Sequence, residues 1–270
     1  MSLGLSLSVG TLSDSTAPNT APGTTAGDCA KPAAATDLRH CDLSAARLAG
    51  AELSRAQLAG VRLENADLRG CRLVGANLAG ANLRWADLTG CDLTRADLRG
   101  ADLFHTTLDE SNLTESDLSG AQMFGANLNQ VHGHGANFSR AYQKDLLMEG
   151  SDLPNARFDR AFMFRAVLID SKLRGATMRQ VTLTGAALEG ADFSGADLSG
   201  SLLNGAHLQD ARLRSARLDD TRFINAVLER TDFTDAVNMP IHLQEMLDRA
   251  RGVTDVTRGA RTVEPDTVRP

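Results

Sequence analysis

The stretch "GANLAGANLRWADLTGCDLTRADLRGADL", residues 75–103, repeats one phrase every five residues: a small residue, Asp or Asn, Leu, then two variable positions. The phrase extends in both directions without a frame shift. Of the 40 positions taken every fifth residue from 38 to 233, 38 are Leu, Met or Phe, the exceptions being Gly133 and Gln143. Two residues before each lies a second series, from 36 to 231, in which 39 of 40 are Ala, Ser, Thr, Cys or Val and only Leu146 is large.

A helix of period 3.6 or a strand of period 2 loses phase with a five-residue repeat. The coil must therefore have turns commensurate with five. A large and a small residue spaced by two point to the same side of a short extended piece, leaving the other three positions for an exposed edge and a corner. Gly at the last place (Gly50, Gly60, Gly70, Gly80, Gly90, Gly100) and Asp or Asn before the Leu are residues that tight corners favour. One unit is too small to bury its own Leu, so units must stack.

"ADLRG" (66–70 and 96–100), "ANLAG" (76–80) and "ADLSG" (196–200) match the A(D/N)LXX signature, and the chain resembles the pentapeptide-repeat family over roughly three-quarters of its length. The resemblance implies an all-β fold, a right-handed quadrilateral β-helix with four pentapeptides per coil. Forty units then make about ten coils, roughly 48 Å long at a strand spacing of about 4.8 Å.

Three segments follow. Residues 1–35, with "STAPNTAPGTTAGDCAKPAAA" at 15–35, are expected to be disordered, because so little apolar area cannot offset the ordering entropy. The piece "LGLSLSVGTL" within them is either a docking peptide or an untethered terminus. Residues 36–239 form the solenoid. Residues 240–270 supply a C-terminal helix and a loose tail: in "MPIHLQEMLDRARGV" (239–253), Pro240 suits a first helical turn, and Ile241, Leu243, Met246 and Leu247 share a face. That helix is expected to cap the open end and to offer a homodimer contact.

Composition narrows the class. The 270 residues are 42% hydrophobic but 4% aromatic, so the interior must be built of small repeated contacts. No apolar run is long enough to span a bilayer, and no secretory signal pattern opens the chain. The four Cys include no CxxC pair, and read as neither a disulfide framework nor a zinc site. A reducing, cytoplasmic setting is expected, and Cys71 and Cys91, 20 apart, are read as stacked core fillers. The net charge of −6 argues against direct nucleic-acid binding.

No catalytic arrangement is present: GxSxG, Walker A, GxGxxG before a helix and HExxH are all missing. The chain reads as a non-enzyme with no cofactor and no metal. "HGHG" (132–135) places His132 and His134 around the deviant Gly133, without further ligands near in sequence. Together with Gln143 these residues mark an irregular central break.

A 20-residue coil makes positions 20 apart into neighbours. Phe104, Phe124, Lys144 and Phe164 then form one outward column, Tyr142 and Phe162 a second, and Trp85 with His105 a third. Either this aromatic face is a protein-binding surface, or segment 131–148 folds outward and covers it. The acidic excess peaks at Asp87, Asp92, Asp97, Asp102 and Asp117, although the repeat itself favours Asp at those places.

Function is expected to be that of a protein-binding rod. The family resemblance offers one concrete mechanism: some bacterial members protect DNA gyrase or topoisomerase IV as rod-shaped DNA mimics, which makes a type II topoisomerase a candidate partner. A scaffold using the aromatic face is the alternative, and a ligand site at the central break a third.

Overall fold

The computed structural model describes residues 25–250, with side chains as far as Leu247. The expected docking peptide, the first 24 residues of the N-terminal segment and the tail beyond 250 lie outside the described residues.

The unit 96–100 shows why this sequence coils. Leu98 N donates upward to Asp117 O (2.7 Å), Gly100 N to Ser119 O (3.0 Å), and Asp97 N downward to Ala76 O (2.9 Å). Ala96 N closes a turn onto Leu93 O (2.9 Å). The fifth amide, Arg99 N, is taken by the carboxylate of Asp97 (3.1 Å). All five N–H groups of the unit are thus satisfied, as enclosed backbone requires.

Parallel bridges join residues 20 apart at every fifth position, from Asp37↔Gln57 to Arg217↔Val237. Four bridges per 20 residues make four walls. The corner between walls is a β-turn with positive φ only at its third residue, the type II pattern. Gly100 sits there at φ 62°, and Arg140 and Arg160 adopt the same region at 59° and 61°. Inside, the Leu series is buried except at Leu228, which is half-buried near the C-terminal end, and Phe138 and Phe158 stack at 4.8 Å. Hydroxyls of the small series, such as Thr106 Oγ1 and Ser151 Oγ, donate to carbonyls of the coil below at 2.7 and 2.8 Å.

The central break is not a break in the backbone, which corrects the reading of 131–148. His132 bridges Asn112 and Asp152, and Tyr142 bridges Gln122 and Phe162, so the coil passes straight through. The ladder is held by main-chain bonds, and neighbours absorb the odd side chains. A Cβ on Gly133 would stand 2.5 Å from Leu153 Cδ2, which occupies the vacated space. Gln143 is fully buried, its Nε2 3.7 Å from Met123 Sδ and its Oε1 without a partner.

Both ends are closed. At the N-terminal end, β1 (Thr25–Ala26) pairs in parallel with β2 (Thr36–Asp37), and a disulfide joins Cys29 to Cys41. Two expectations are corrected here. Residues 25–35 are ordered, because folding back onto the first coil gives their backbone a ladder to join. Two of the four cysteines do form a bridge, where no disulfide was expected. Spacing along the chain could not show it, since the fold-back alone brings Cys29 over Cys41. Cys71 and Cys91 are unbridged and buried as read; their mutual hydrogen bond and burial push the Cys71 thiol well up from its ordinary value.

At the other end lies α1 (Ile241–Ala250). Leu243 and Leu247 are buried over the last coil, Met246 is half-buried against it, and Ile241 is 80% exposed. Phe223 N, whose counterpart elsewhere would find a carbonyl of the next coil, donates instead to His242 Nε2 at 3.1 Å.

Candidate functional site

Two residue positions in each pentapeptide corner and one on the flat of each wall face solvent, and on one wall those positions carry rings. Columns fall out of the 20-residue ladder: Tyr142 and Phe162 are direct bridge partners, stacked at 5.2 Å and 10°. At the following corner, Phe104 and Phe124 stack at 5.5 Å and 12°. Trp85 lies flat on His105 at 4.4 Å and edge-on to Phe104 at 5.6 Å. Phe162 and Phe164, 6.2 Å apart, join the two columns.

Gly125 makes part of this packing possible. A Cβ there would fall 2.5 Å from the His105 ring, so only glycine lets that imidazole lie across the coil above. Cations brace the ladder from both sides: the Arg84 guanidinium stands 4.1 Å from the Phe104 centroid and Lys144 Nζ 5.3 Å from that of Phe124. Such contacts contribute about 0.5–1 kcal/mol each when exposed.

The rings climb from the coil of Trp85 to that of Phe164, four steps or roughly 19 Å at about 4.8 Å per coil. Trp85 is 52% exposed, Tyr142 38% and Phe162 36%, while Phe104, Phe124 and Phe164 are half-buried. Segment 131–148 stays within the coil and leaves the face uncovered. The column arithmetic therefore places Phe104, Phe124, Tyr142, Phe162 and Phe164 together; it missed the cation contacts, because side-chain reach is not encoded in position.

His132 and His134 are exposed on another wall, away from Gln143, whose side chain is inside the coil. They form no joint site. Among the described residues, one group has three metal-ligating side chains within reach of one another, Cys29, His40 and Cys41, and there the two sulfurs are joined.

The five acids prove to be structural. Asp87, Asp92, Asp97, Asp102 and Asp117 accept the backbone N–H two residues on, from Thr89, Thr94, Arg99, Phe104 and Ser119, at 2.9–3.1 Å. Only Asp97 and Asp117 share a ladder among them. Asp97 is also paired with Arg99 (2.6 Å), Asp102 with Arg84 (3.2 Å) and Asp87 with Arg69 (3.8 Å). Hydrogen bonds from Arg99 hold the Asp97 carboxyl below its ordinary value. No continuous negative stripe results.

The family model for pentapeptide repeats matches the chain in eight copies, over 36–75, 56–95, 91–130, 147–180, 161–200 and 201–237. The unmatched stretch between 130 and 147 is the one holding Gly133, Gln143 and Leu146. No curated protein matches the chain in sequence. Among solved structures it is similar to HetL, a pentapeptide repeat protein involved in heterocyst differentiation regulation in the cyanobacterium Nostoc. The two share 32% identity over 70% of this chain and 88% of that one, with a TM-score of 0.47. QnrB1, a plasmid-mediated fluoroquinolone resistance protein, is 17% identical over 69% of this chain and 97% of its own, with a TM-score of 0.45. Rfr23, from the cyanobacterium Cyanothece, is 24% identical over 41% of this chain and 86% of its own, with a TM-score of 0.33.

Proposed function

The chain belongs to the pentapeptide-repeat family, whose members imply a right-handed quadrilateral β-helix and a binding rather than an enzymatic role, and on that footing we propose that it is a protein-binding rod whose partner docks on the aromatic ladder. One observation carries the reading: two clusters of stacked rings, Trp85 to Phe124 and Tyr142 to Phe164, follow one another along one side of the solenoid over five coils, with Lys144 between them. Stacked aromatics bracketed by Arg84 and Lys144 suit a partner surface of aromatic or aliphatic side chains fringed by carboxylates. Rigid walls hold the rings in place before docking, so little side-chain entropy is lost on binding.

Gyrase or topoisomerase IV binding by DNA mimicry draws less support. A mimic needs unspent negative charge in a line, whereas here the acids cap backbone amides and pair with arginines on several walls. A homodimer through α1 would have to use Ile241, since Leu243 and Leu247 are spent on the cap.

The test is capture of partners by the full chain and by a Phe124→Ala/Phe164→Ala variant. Hot-spot aromatics cost about 2 kcal/mol or more on truncation, so capture should fall at least about 30-fold and resist high salt. Unchanged capture, or salt-sensitive inhibition of gyrase supercoiling by both proteins, would point away from the rings.

A further inference from the structure

On the wall preceding the aromatic one, Arg140, Arg157, Arg160, Ser139 and Asn137 line a groove of about 750 Å³. Arginines elsewhere on the solenoid commonly sit one coil from a carboxylate, as Arg95 does from Glu115 and Arg230 from Asp210. This groove breaks that habit. Arg179 within it is shared between Asp159 and Asp197, each at 3.4 Å, and Arg160 Nε donates to Gln180 Oε1 at 3.0 Å. The guanidinia of Arg140 and Arg157 have no carboxylate within 4 Å among the described residues. Arg140 and Arg160 stand at the same corner on successive coils, so their like charges are adjacent. Ser139 Oγ is enclosed and has no hydrogen-bond partner. Other arginines without a carboxylate, Arg47, Arg55, Arg212 and Arg222, are scattered over different walls.

The positive spot is short. Along its ladder the bridge residues run Asp117, Asn137, Arg157, Thr177, Asp197, so an acid closes it above and below. A polyanion such as a nucleic acid would run onto those carboxylates, whereas one compact dianion meets only Asp159 within the groove, a carboxylate already paired with Arg179. Two spare guanidinia are the donors a phosphate group takes, by bidentate charge-assisted hydrogen bonds. A phosphate alone does not fill the groove, and two residues beyond Arg140 and Arg160 stand the stacked rings of Tyr142 and Phe162.

We propose that this groove binds a single phosphate group carried on a peptide segment, whose adjoining apolar side chain packs on Tyr142 and Phe162. The proposal deepens the partner-docking reading and rests on it for the identity of the carrier. A phosphorylated side chain brings about two negative charges and three acceptor oxygens, matching the donors left unused here.

Phenyl phosphate, which joins both features, is the probe, titrated calorimetrically into the full chain beside inorganic phosphate. One saturable site per chain is expected. Arg140→Gln/Arg157→Gln should weaken it by at least about tenfold, the loss expected of charge-assisted bonds. Arg140→Lys/Arg157→Lys, which keeps charge but not the planar fork, should fall between. Tyr142→Ala should weaken phenyl phosphate about threefold and leave inorganic phosphate unchanged, because ring stacking is all it removes. Thermal melting of each variant guards against misfolding. Absence of saturable binding, or binding equal in the Arg→Gln variant and the parent, overturns the proposal; so does indifference to Tyr142→Ala. Phe124→Ala/Phe164→Ala should leave phenyl phosphate binding intact, so partner capture that this variant leaves unchanged marks failure of the docking reading instead.

Discussion

Asp92 holds the amide of Thr94 at 3.1 Å and its hydroxyl at 2.6 Å, with no arginine in the pairing. It isolates what the second position of the repeat does, which is to terminate the one backbone donor that the ladder and the turn leave over. Asp92→Ala should lower stability by about 1 kcal/mol, the net worth of such a bond, while Asp92→Asn, which keeps the acceptor, should be close to neutral. Urea midpoints of the two variants check this. Gln143 presents the opposite case: its Oε1 is buried without a donor. Gln143→Leu restores the majority residue of its series and should raise stability by about 1–3 kcal/mol, the usual cost of an unsatisfied polar group. A lower urea midpoint for that variant would mean the amide has a role in the core after all.

Each end element does what a solenoid's interior coils cannot do for themselves, which is to stop the ladder. α1 covers the last coil with Leu243 and Leu247, and His242 lends a ring nitrogen to Phe223 N where no further carbonyl exists. Leu247→Asp should fray the cap and destabilise the protein by about 3 kcal/mol or more, since it buries a charge in place of a core side chain. His242→Ala should cost about 1–3 kcal/mol by orphaning one amide. Amide hydrogen exchange near Phe223 is the direct readout, with protection there lost first. At the N-terminal end the bridge from Cys29 to Cys41 ties β1 and its turn onto the first coil, so that end is closed covalently.

For the molecule as a whole, acid should be the condition that loosens the rod. The Arg69 guanidinium holds the Asp67 carboxyl down at about 2, from an ordinary 3.8, and arginines pull Asp42, Asp210 and Glu115 in the same direction. Burial pushes Asp192 up, yet hydrogen bonds from Ser194 and Arg174 outweigh it and leave this carboxyl lowered too. A folded value below the unfolded one means stability that is complete above about pH 4 and is lost as pH falls toward 2. Urea midpoints should therefore be flat from pH 7 to about 5 and drop steeply below 4. Arg69→Met should make that drop shallower, and a midpoint independent of pH would refute the ion-pair account.

The amino-acid sequence by itself determined the repeat, the inward series and the neighbours 20 apart, because a backbone ladder with a fixed period converts numbering into position. The aromatic columns were legible for that reason, and so were the capping helix and the Cys71–Cys91 stack. What only the tertiary structure decided lies where side chains reach across columns or the chain departs from its period. The fold-back joins Cys29 to Cys41, Leu153 fills the space at Gly133, and the acids are consumed by amides and arginines. Arg140 and Arg157 are left without a carboxylate in one groove, while Arg179 beside them is shared between Asp159 and Asp197. Periodicity specifies where a Cα stands, but charge balance and packing depend on where flexible side chains end.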